Sequence, residues 1–159
     1  GWTLDHQTLP GTFAWAEQVH PAHGGFSGGD MPHAWAAADY ATLVREMLMS
    51  ERGGALELFS GVPDWWLSDG KVISLENAPS DFGTLSRLET SSTVKQSEDA
   101  WNGDLDIFLT GASPKDGFRW RLPHEPTKID GPPGTIIDKG WLIIPSSGGT
   151  VRLTFNPAP

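Results

Sequence analysis

The sequence predicts a mainly β protein, an antiparallel β-sandwich preceded by one long helix. Short runs of apolar and β-branched residues lie after Gly53, and turn-forming residues separate them. The runs cover residues 55–60, 71–76, 84–91, 105–111, 118–122, 135–138, 141–145 and 151–155. Such a series of short strands is typical of a sandwich, and a single stretch rich in Ala, Leu and Met precedes it.

That stretch predicts a helix from Pro32 to Ser50. Its Ala, Leu, Met, Glu and Arg residues are good helix formers, and its larger apolar side chains recur at helical spacing. Asp30 is a candidate N-cap, and the Gly53-Gly54 pair predicts the end of the element. A shorter helix over Phe13–Val19 and a helical turn over residues 62–67 are also expected.

Composition excludes several classes of function. The 159 residues contain no Cys, which excludes a disulfide scaffold, a thiolate zinc site and cysteine catalysis. Twenty acidic residues against eleven Lys and Arg leave a net charge of −9, so we expect no nucleic-acid partner. No apolar run approaches the roughly 18 residues of a membrane span, so no membrane partner is expected.

The predicted helix has an apolar surface that needs a packing partner, and this requirement suggests that the chain has two parts. A single helix with a wide, Ala-rich surface that carries Trp35 cannot bury that surface by itself. We therefore expect residues 53–159 to be the sandwich domain and residues 1–52 to be the C-terminal edge of a larger helical domain. The alternative is that residues 1–52 form an unusual helical cap on the sandwich. The start at Gly1 instead of Met agrees with a fragment, whose partner would be a missing N-terminal catalytic domain or a second chain.

One carboxylate lies in a setting that suits a sugar subsite. Glu17 follows Trp15 and precedes a Gly-rich stretch at residues 24–29. Aromatic faces stack on pyranose rings, and a partly buried carboxylate can act as general base on water. The alternative from the residues alone is that Trp15 and Trp35 are core residues and Glu17 is a solvated helix residue.

The order of motifs in this region resembles a known family. The motifs are Ala16-Glu17-Gln18, then the Gly-rich stretch, then Pro32-His33-Ala34-Trp35-Ala36 and Ala38-Asp39-Tyr40. They are similar to the last part of the catalytic domain of glucoamylase-type glycoside hydrolases, inverting enzymes built on an (α/α)6 barrel. The resemblance implies that Glu17 is the general base and that Trp15 lies beside a sugar subsite. His33, where the family more often has an apolar residue, is the second predicted substrate contact.

Two further segments extend this resemblance. Residues 56–67 and 78–83 are similar to β-sandwich domains that follow six-hairpin-type glycosidase barrels. An inverting glycosidase needs a second carboxyl group as acid, about 6.5–9.5 Å from the base. In the family that acid comes from a helix far upstream, so we expect the 159 residues alone to hydrolyse nothing. The alternative is a stand-alone carbohydrate-binding or structural β-sandwich module without catalysis.

No cofactor and no metal site are expected. His20 and His23 have a chelating spacing, but no third ligand of a recognised pattern accompanies them. Calcium prefers oxygen ligands, which a second group of residues could supply, but the spacing of this group does not match the EF-hand loop. The group consists of Asp99, Asn102, Asp104 and Asp106.

The remaining tryptophans are expected mainly in the sandwich core. An exposed row of them would instead make a carbohydrate-binding platform. In FRWRL and WLII the Trp residues alternate with their neighbours as core or half-buried strand residues do. This pattern predicts burial of Trp120 and Trp141, with Arg119 and Arg121 on the opposite, solvent face.

Overall fold

The fold was obtained as a computed structural model, which describes residues 5, 7, 11–12, 14–19, 26–30 and 32–156. The chain divides into two compact units, Gly1–Glu46 and Met47–Pro159. The second unit carries eleven strands in two sheets, and one helix precedes them in the described residues. The predicted fold class, a β-sandwich preceded by one long helix, is confirmed.

The first unit contains a short hairpin and most of the helix. Strands β1 (Gln18–Val19) and β2 (Phe26–Gly28) pair in antiparallel orientation. Helix α1 (Ala34–Leu48) follows, so the prediction of a helix from residue 32 to residue 50 is confirmed for its body. The shorter helix expected over residues 13–19 is wrong where the structure describes it, because residues 18 and 19 pair with β2 instead. Residue 13 lies outside the described residues, as do His20 and His23.

Helix α1 presents large apolar side chains to solvent. Trp35 is 77% exposed and Leu43 is 51% exposed, while Leu48 at the end of the helix is buried. Two large apolar side chains of α1 are therefore more than half exposed in the structure.

The strands of the second unit follow one another with short connections. In chain order they are β3 (Met49–Arg52), β4 (Ala55–Leu58), β5 (Ser74–Ala78), β6 (Leu85–Ser92), β7 (Lys95–Gln96), β8 (Trp101–Thr110), β9 (Phe118–Arg121), β10 (Lys128–Asp130), β11 (Ile136–Asp138), β12 (Trp141–Ile144) and β13 (Gly149–Phe155). The helical turn expected after β4 is confirmed as a 3-10 turn, Asp64–Leu67. Each of the eight predicted runs overlaps a strand.

These strands form two sheets. The six-stranded sheet has the order β10-β13-β8-β6-β5, with β7 paired to one end of β8, and all of its pairs are antiparallel. The five-stranded sheet has the order β11-β12-β9-β4-β3. Its pair β4–β9 is parallel, with Leu56 opposite Phe118, whereas its other pairs are antiparallel. The sandwich is therefore antiparallel except at this one pair.

The core follows the two-residue period of the strands. Along β13 the side chains of Val151, Leu153 and Phe155 are buried, whereas Arg152 is exposed. The same alternation buries Leu105, Ile107 and Leu109 of β8, Leu142 and Ile144 of β12, and Phe118 and Trp120 of β9. Each sheet thus has one apolar inner face and one polar outer face, as sandwich packing requires.

The second unit begins earlier than the strand pattern predicts. Met49 and Ser50 were expected within the helix, and residues 49–52 within the first domain, but Met49–Arg52 forms β3 and pairs with β4 along its whole length. Met, Glu and Arg favour helix locally, and the pairing of Met49 with Leu58 decides the outcome. The assignment of residues 1–52 to the edge of a larger helical domain stays a prediction.

Candidate active site

Glu17, the predicted general base, lies immediately before β1 and is exposed. Its backbone N–H donates to the carbonyl of Asp30 at 3.1 Å, and its Oε2 accepts the N–H of Asp30 at 3.2 Å. The main chain and the side chain of Glu17 are therefore both hydrogen-bonded to the main chain of Asp30. The second carboxylate oxygen, Oε1, makes no hydrogen bond within the described part of the chain.

Gly29 allows the carboxylate to take this position. Its φ of +79° lies in the left-handed region, which glycine adopts without cost. A Cβ atom at Gly29 would lie 2.6 Å from both Cβ and Cδ of Glu17, closer than non-bonded carbon atoms approach. The absence of a side chain at Gly29 is thus a condition for the contact between Glu17 and Asp30.

Trp15 is 5% exposed and packs inside the first unit. Its ring lies 4.6 Å from the ring of Tyr40 at an interplanar angle of 38°. This burial favours packing as the main role of Trp15, and its predicted place beside a sugar subsite stays a prediction. The contact between Trp15 and Tyr40 could be found only from the folded structure, because the two residues are distant in sequence.

His33, the second predicted substrate contact, is half-buried at the residue that precedes α1. Its backbone N–H donates to the carbonyl of Trp15 at 2.8 Å, and its carbonyl accepts the N–H of Ala37 at 3.3 Å. The imidazole ring meets the exposed ring of Trp35 edge-on, with centroids 5.9 Å apart. His33 therefore connects the start of α1 to the segment that carries Glu17.

These hydrogen bonds bring the three predicted site residues together. Trp15 lies opposite His33, and Glu17 lies opposite Asp30, so the two segments run side by side in opposite directions. The arrangement offers an exposed carboxylate with one fixed oxygen, a half-buried imidazole and an exposed indole in one region of the first unit. General-base catalysis requires a carboxylate within hydrogen-bond reach of the proton that it takes. Glu17 is exposed, not partly buried as the sugar-subsite interpretation expected, and this agrees with the alternative of a solvated residue.

Metal binding has no further support in the described residues. No group of three or more His, Asp or Glu is close enough there to hold a metal ion. Asp104 accepts a hydrogen bond from the Thr154 hydroxyl at 2.7 Å, and Asp106 is paired with Arg152. The described part of the chain also contains no helix with the length and hydropathy that a membrane crossing requires.

The tryptophans of the second unit divide between core and surface. Trp101 and Trp120 are buried, as expected. Trp141 is half-buried and shares the outer face of the five-stranded sheet with Arg119 and Arg121, although it was expected on the opposite face from them. The register explains the difference, because Trp141 pairs with Arg121, whereas Leu142 pairs with the buried Trp120.

A cleft at the 3-10 turn was not anticipated from the sequence. Trp65 is 62% exposed, and its ring meets that of Trp66 edge-on at 5.8 Å. The cleft has a volume of about 340 Å³, and its lining consists of Leu48, Trp65, Trp66, Lys71, Val72, Ile73 and Ser74. The Trp-Trp pair was the available signal, but local sequence does not tell which side of a turn faces solvent.

No protein-family model, no curated protein and no solved structure matches this chain.

Proposed function

We propose that this chain is the C-terminal portion of a glycoside hydrolase that acts on an oligo- or polysaccharide. In this proposal Glu17 is the general base, and the β-sandwich braces the catalytic domain. The observation that carries it is the position of the Glu17 carboxylate, which belongs to an exposed residue and is held at Oε2 by the N–H of Asp30 at 3.2 Å.

The chemistry follows from that position. A water molecule bound at Oε1 would be oriented for attack on an anomeric carbon, and Glu17 would take one of its protons as the new C–O bond forms. The leaving oxygen would receive its proton from a second carboxyl group on the opposite side of the sugar ring. The resemblance assigns that acid to an upstream helix, so this chain supplies one half of the catalytic pair.

The exposed face of α1 supports the same proposal. Trp35 and Leu43 are more than half exposed, although buried apolar surface is the main source of helix stability in globular proteins. In a barrel of paired helices this face would pack against neighbouring helices. The proposal therefore makes the missing N-terminal catalytic domain, or a second chain, the partner of α1.

The test compares the natural polypeptide that carries this sequence with its Glu17→Gln variant on a panel of α- and β-linked oligosaccharides. We expect hydrolysis of one linkage class and a loss of about 10²–10⁴-fold in kcat for Glu17→Gln. Glu98→Gln makes the same charge change at an exposed position of the second unit and should keep full activity. Absence of any hydrolysis, or full activity in Glu17→Gln, would contradict the proposal.

The 159-residue chain by itself provides a second check. Because the acid is expected elsewhere, the isolated chain should hydrolyse none of the panel. Turnover by the isolated chain that disappears in Glu17→Gln would show that both carboxyl groups lie within these residues.

A second candidate function is a carbohydrate-binding module without catalysis. The observation that favours it is the cleft at Trp65 and Trp66, since ligand sites are mostly concave and apolar with a few polar groups. Titration of intrinsic Trp fluorescence with neutral oligosaccharides tests this function. Binding should be lost in Trp65→Ala and kept in Phe108→Ala, which removes an exposed aromatic side chain of β8 that does not line the cleft. Absence of binding would contradict this second candidate function.

A further inference from the structure

The outer face of the five-stranded sheet carries a compact group of cations around one indole, which we call the Arg–Trp cluster. It consists of Arg119, Arg121, Lys139 and Trp141. The guanidinium carbon atoms of Arg119 and Arg121 each lie 5.8 Å from the centre of the Trp141 ring. A cavity of about 260 Å³ opens beside them and is also lined by Asp138 and Ile143.

The charges in this cavity oppose the charge of the whole protein. Three cations line the cavity against a single carboxylate, that of Asp138, although the chain has a net charge of −9. Arg119 is partly neutralised, because its Nη2 donates to Glu57 at 3.2 Å and to the carbonyl of Arg52 at 3.1 Å. Arg121 and Lys139 form no ion pair within the described residues. Their side chains are therefore the cations available to an outside anion.

The hydrogen bonding of Arg121 leaves one edge of its guanidinium free. Nη1 donates to the carbonyl of Lys139 at 2.6 Å, and neither Nε nor Nη2 makes a hydrogen bond in the described part of the chain. Nε and Nη2 together form the edge that binds a carboxylate with two parallel hydrogen bonds. The contact with Trp141 restrains the guanidinium plane, which lowers the entropy cost of binding.

The β11–β12 turn holds this arrangement at a cost in backbone strain. Lys139 has a φ of +48° and Gly140 a φ of +79°, the pattern of a two-residue hairpin turn in which Asn-Gly is preferred. A Cβ atom at Gly140 would lie 3.2 Å from Nη1 of Arg121, so the guanidinium packs directly over the glycine. A lysine kept in this conformation places a second cation beside Arg121. Residues held in such strained conformations are concentrated at functional sites.

We propose that the Arg–Trp cluster binds the carboxylate of an acidic sugar, with the carboxylate on Nε and Nη2 of Arg121 and within reach of Lys139. The choice of a sugar as carrier rests on the proposed function, whereas the carboxylate site itself does not. The cluster lies apart in sequence from Glu17 and would bind the acidic residue of a polysaccharide without cleaving it.

The experiment measures binding to the 159-residue chain with two matched pairs of sugars, glucuronate against glucose and galacturonate against galactose. Trp fluorescence and calorimetry report the affinity, and inorganic phosphate is titrated separately. We expect the uronates to bind in the millimolar range, to weaken with added salt and to exceed the neutral sugars at least tenfold. Equal binding of the charged and neutral sugars, or phosphate binding as tight as that of the uronates, would overturn the proposal.

Variants of Arg121 and Lys139 test the contribution of each cation to uronate binding. Arg121→Lys keeps the charge but removes the two-bond edge, so uronate affinity should fall at least tenfold. Arg87→Lys is the matched control on the other sheet, where Arg87 also lies near an aromatic ring, that of Phe108, and it should bind uronate normally. Lys139→Asn should raise thermal stability, because Asn tolerates positive φ, and should weaken uronate binding. Unchanged uronate affinity in Arg121→Lys or in Lys139→Asn would refute the assignment of that residue. The failure of these tests leaves the hydrolase proposal unaffected, because that proposal depends on Glu17.

Discussion

Phe59 packs edge-on against Trp120 in the sandwich core, with ring centroids 5.3 Å apart, although its backbone has a φ of +57°. For a bulky side chain this conformation is rare. Two hydrogen bonds fix it, from the N–H of Phe59 to the carbonyl of Leu48 at 2.9 Å and from the N–H of Val62 to the carbonyl of Phe59 at 3.1 Å. Burial of the ring therefore outweighs the strain in the main chain.

Substitution of Phe59 should separate these two effects. Phe59→Ala should lower the free energy of unfolding by about 3–5 kcal/mol, because it leaves a cavity beside Trp120. Phe59→Gly loses the same ring but relieves the positive φ, a cost of about 1–2 kcal/mol for a non-glycine residue. Chemical denaturation should therefore find Phe59→Gly at least as stable as Phe59→Ala.

Phe118 provides the control for this comparison. It is buried in β9 with ordinary strand conformation, so there the Gly variant should be less stable than the Ala variant by about 0.5–1 kcal/mol. If Phe59 shows the same order as Phe118, the strain assigned to Phe59 is absent.

Ser92 connects the end of β6 to the 3-10 turn. Its buried hydroxyl donates to the carbonyl of Leu67 at 2.6 Å and accepts the N–H of Val94 at 3.0 Å. Ser92→Ala should cost about 1–3 kcal/mol in unfolding free energy, because it leaves two buried backbone groups without that partner. The neighbouring exposed Ser91→Ala should change stability little, and a similar loss in both variants would argue against the hydrogen-bond explanation.

Asp106 of β8 and Arg152 of β13 form a bidentate ion pair on the outer face of the six-stranded sheet. Nε and Nη2 of Arg152 donate to Oδ1 and Oδ2 of Asp106, each at 2.7 Å. These hydrogen bonds, followed by the charge of Asp106, raise the pKa of Arg152 above its ordinary value. Because this pKa is higher in the folded chain, the stabilisation is complete below the ordinary arginine range and is lost only at strongly alkaline pH.

A double-mutant cycle with Asp106→Asn and Arg152→Gln measures this pair. We expect a favourable coupling in thermal unfolding that stays constant across neutral pH. It should decrease toward about 1 M salt, where the Debye length falls to about 3 Å. A coupling that changes between mildly acidic and mildly alkaline buffer would point to a different titrating group.

Gly29 offers a test of the catalytic geometry that keeps the catalytic carboxylate. Gly29→Ala should displace Glu17 and lower activity of the natural polypeptide on the order of 10²-fold, the scale expected for a misplaced catalytic group. Gly53→Ala has comparable backbone strain at φ +61° but no atom within 4 Å of the added Cβ, so it should remain active. Equal activity in the two variants would contradict a need for the contact between Glu17 and Asp30.

Much of the sandwich follows from local sequence, because alternation marks strands with one buried face. Runs such as VRLTF at β13 show this directly, with Val151 and Leu153 inside and Arg152 outside. Three strands lacked that signal. β7 and β10 are too short to alternate clearly, and β3 has the composition of a helix and depends on its pairing with β4.

The candidate site was predictable in its residues but not in its geometry. Sequence motifs predicted Glu17 and His33 as site residues. Their arrangement depends on the hydrogen bonds of Glu17 with Asp30 and of His33 with Trp15, which the sequence does not reveal. The Arg–Trp cluster could not be predicted from the sequence, because Trp141 and Arg121 become neighbours only through the register in which β12 pairs with β9. Register is a property of the folded sheet, and a shift by one residue would have placed Trp141 in the core.

The parallel pairing of β4 with β9 affects how the protein folds during its synthesis. β3 and β4 are adjacent in the chain and are synthesised together, but the strand that pairs with the other edge of β4 begins only at Phe118. Until then the apolar segment Ala55–Leu58 has unpaired backbone groups that can accept a strand from another nascent chain. We therefore expect refolding of the protein to give a higher yield at low protein concentration.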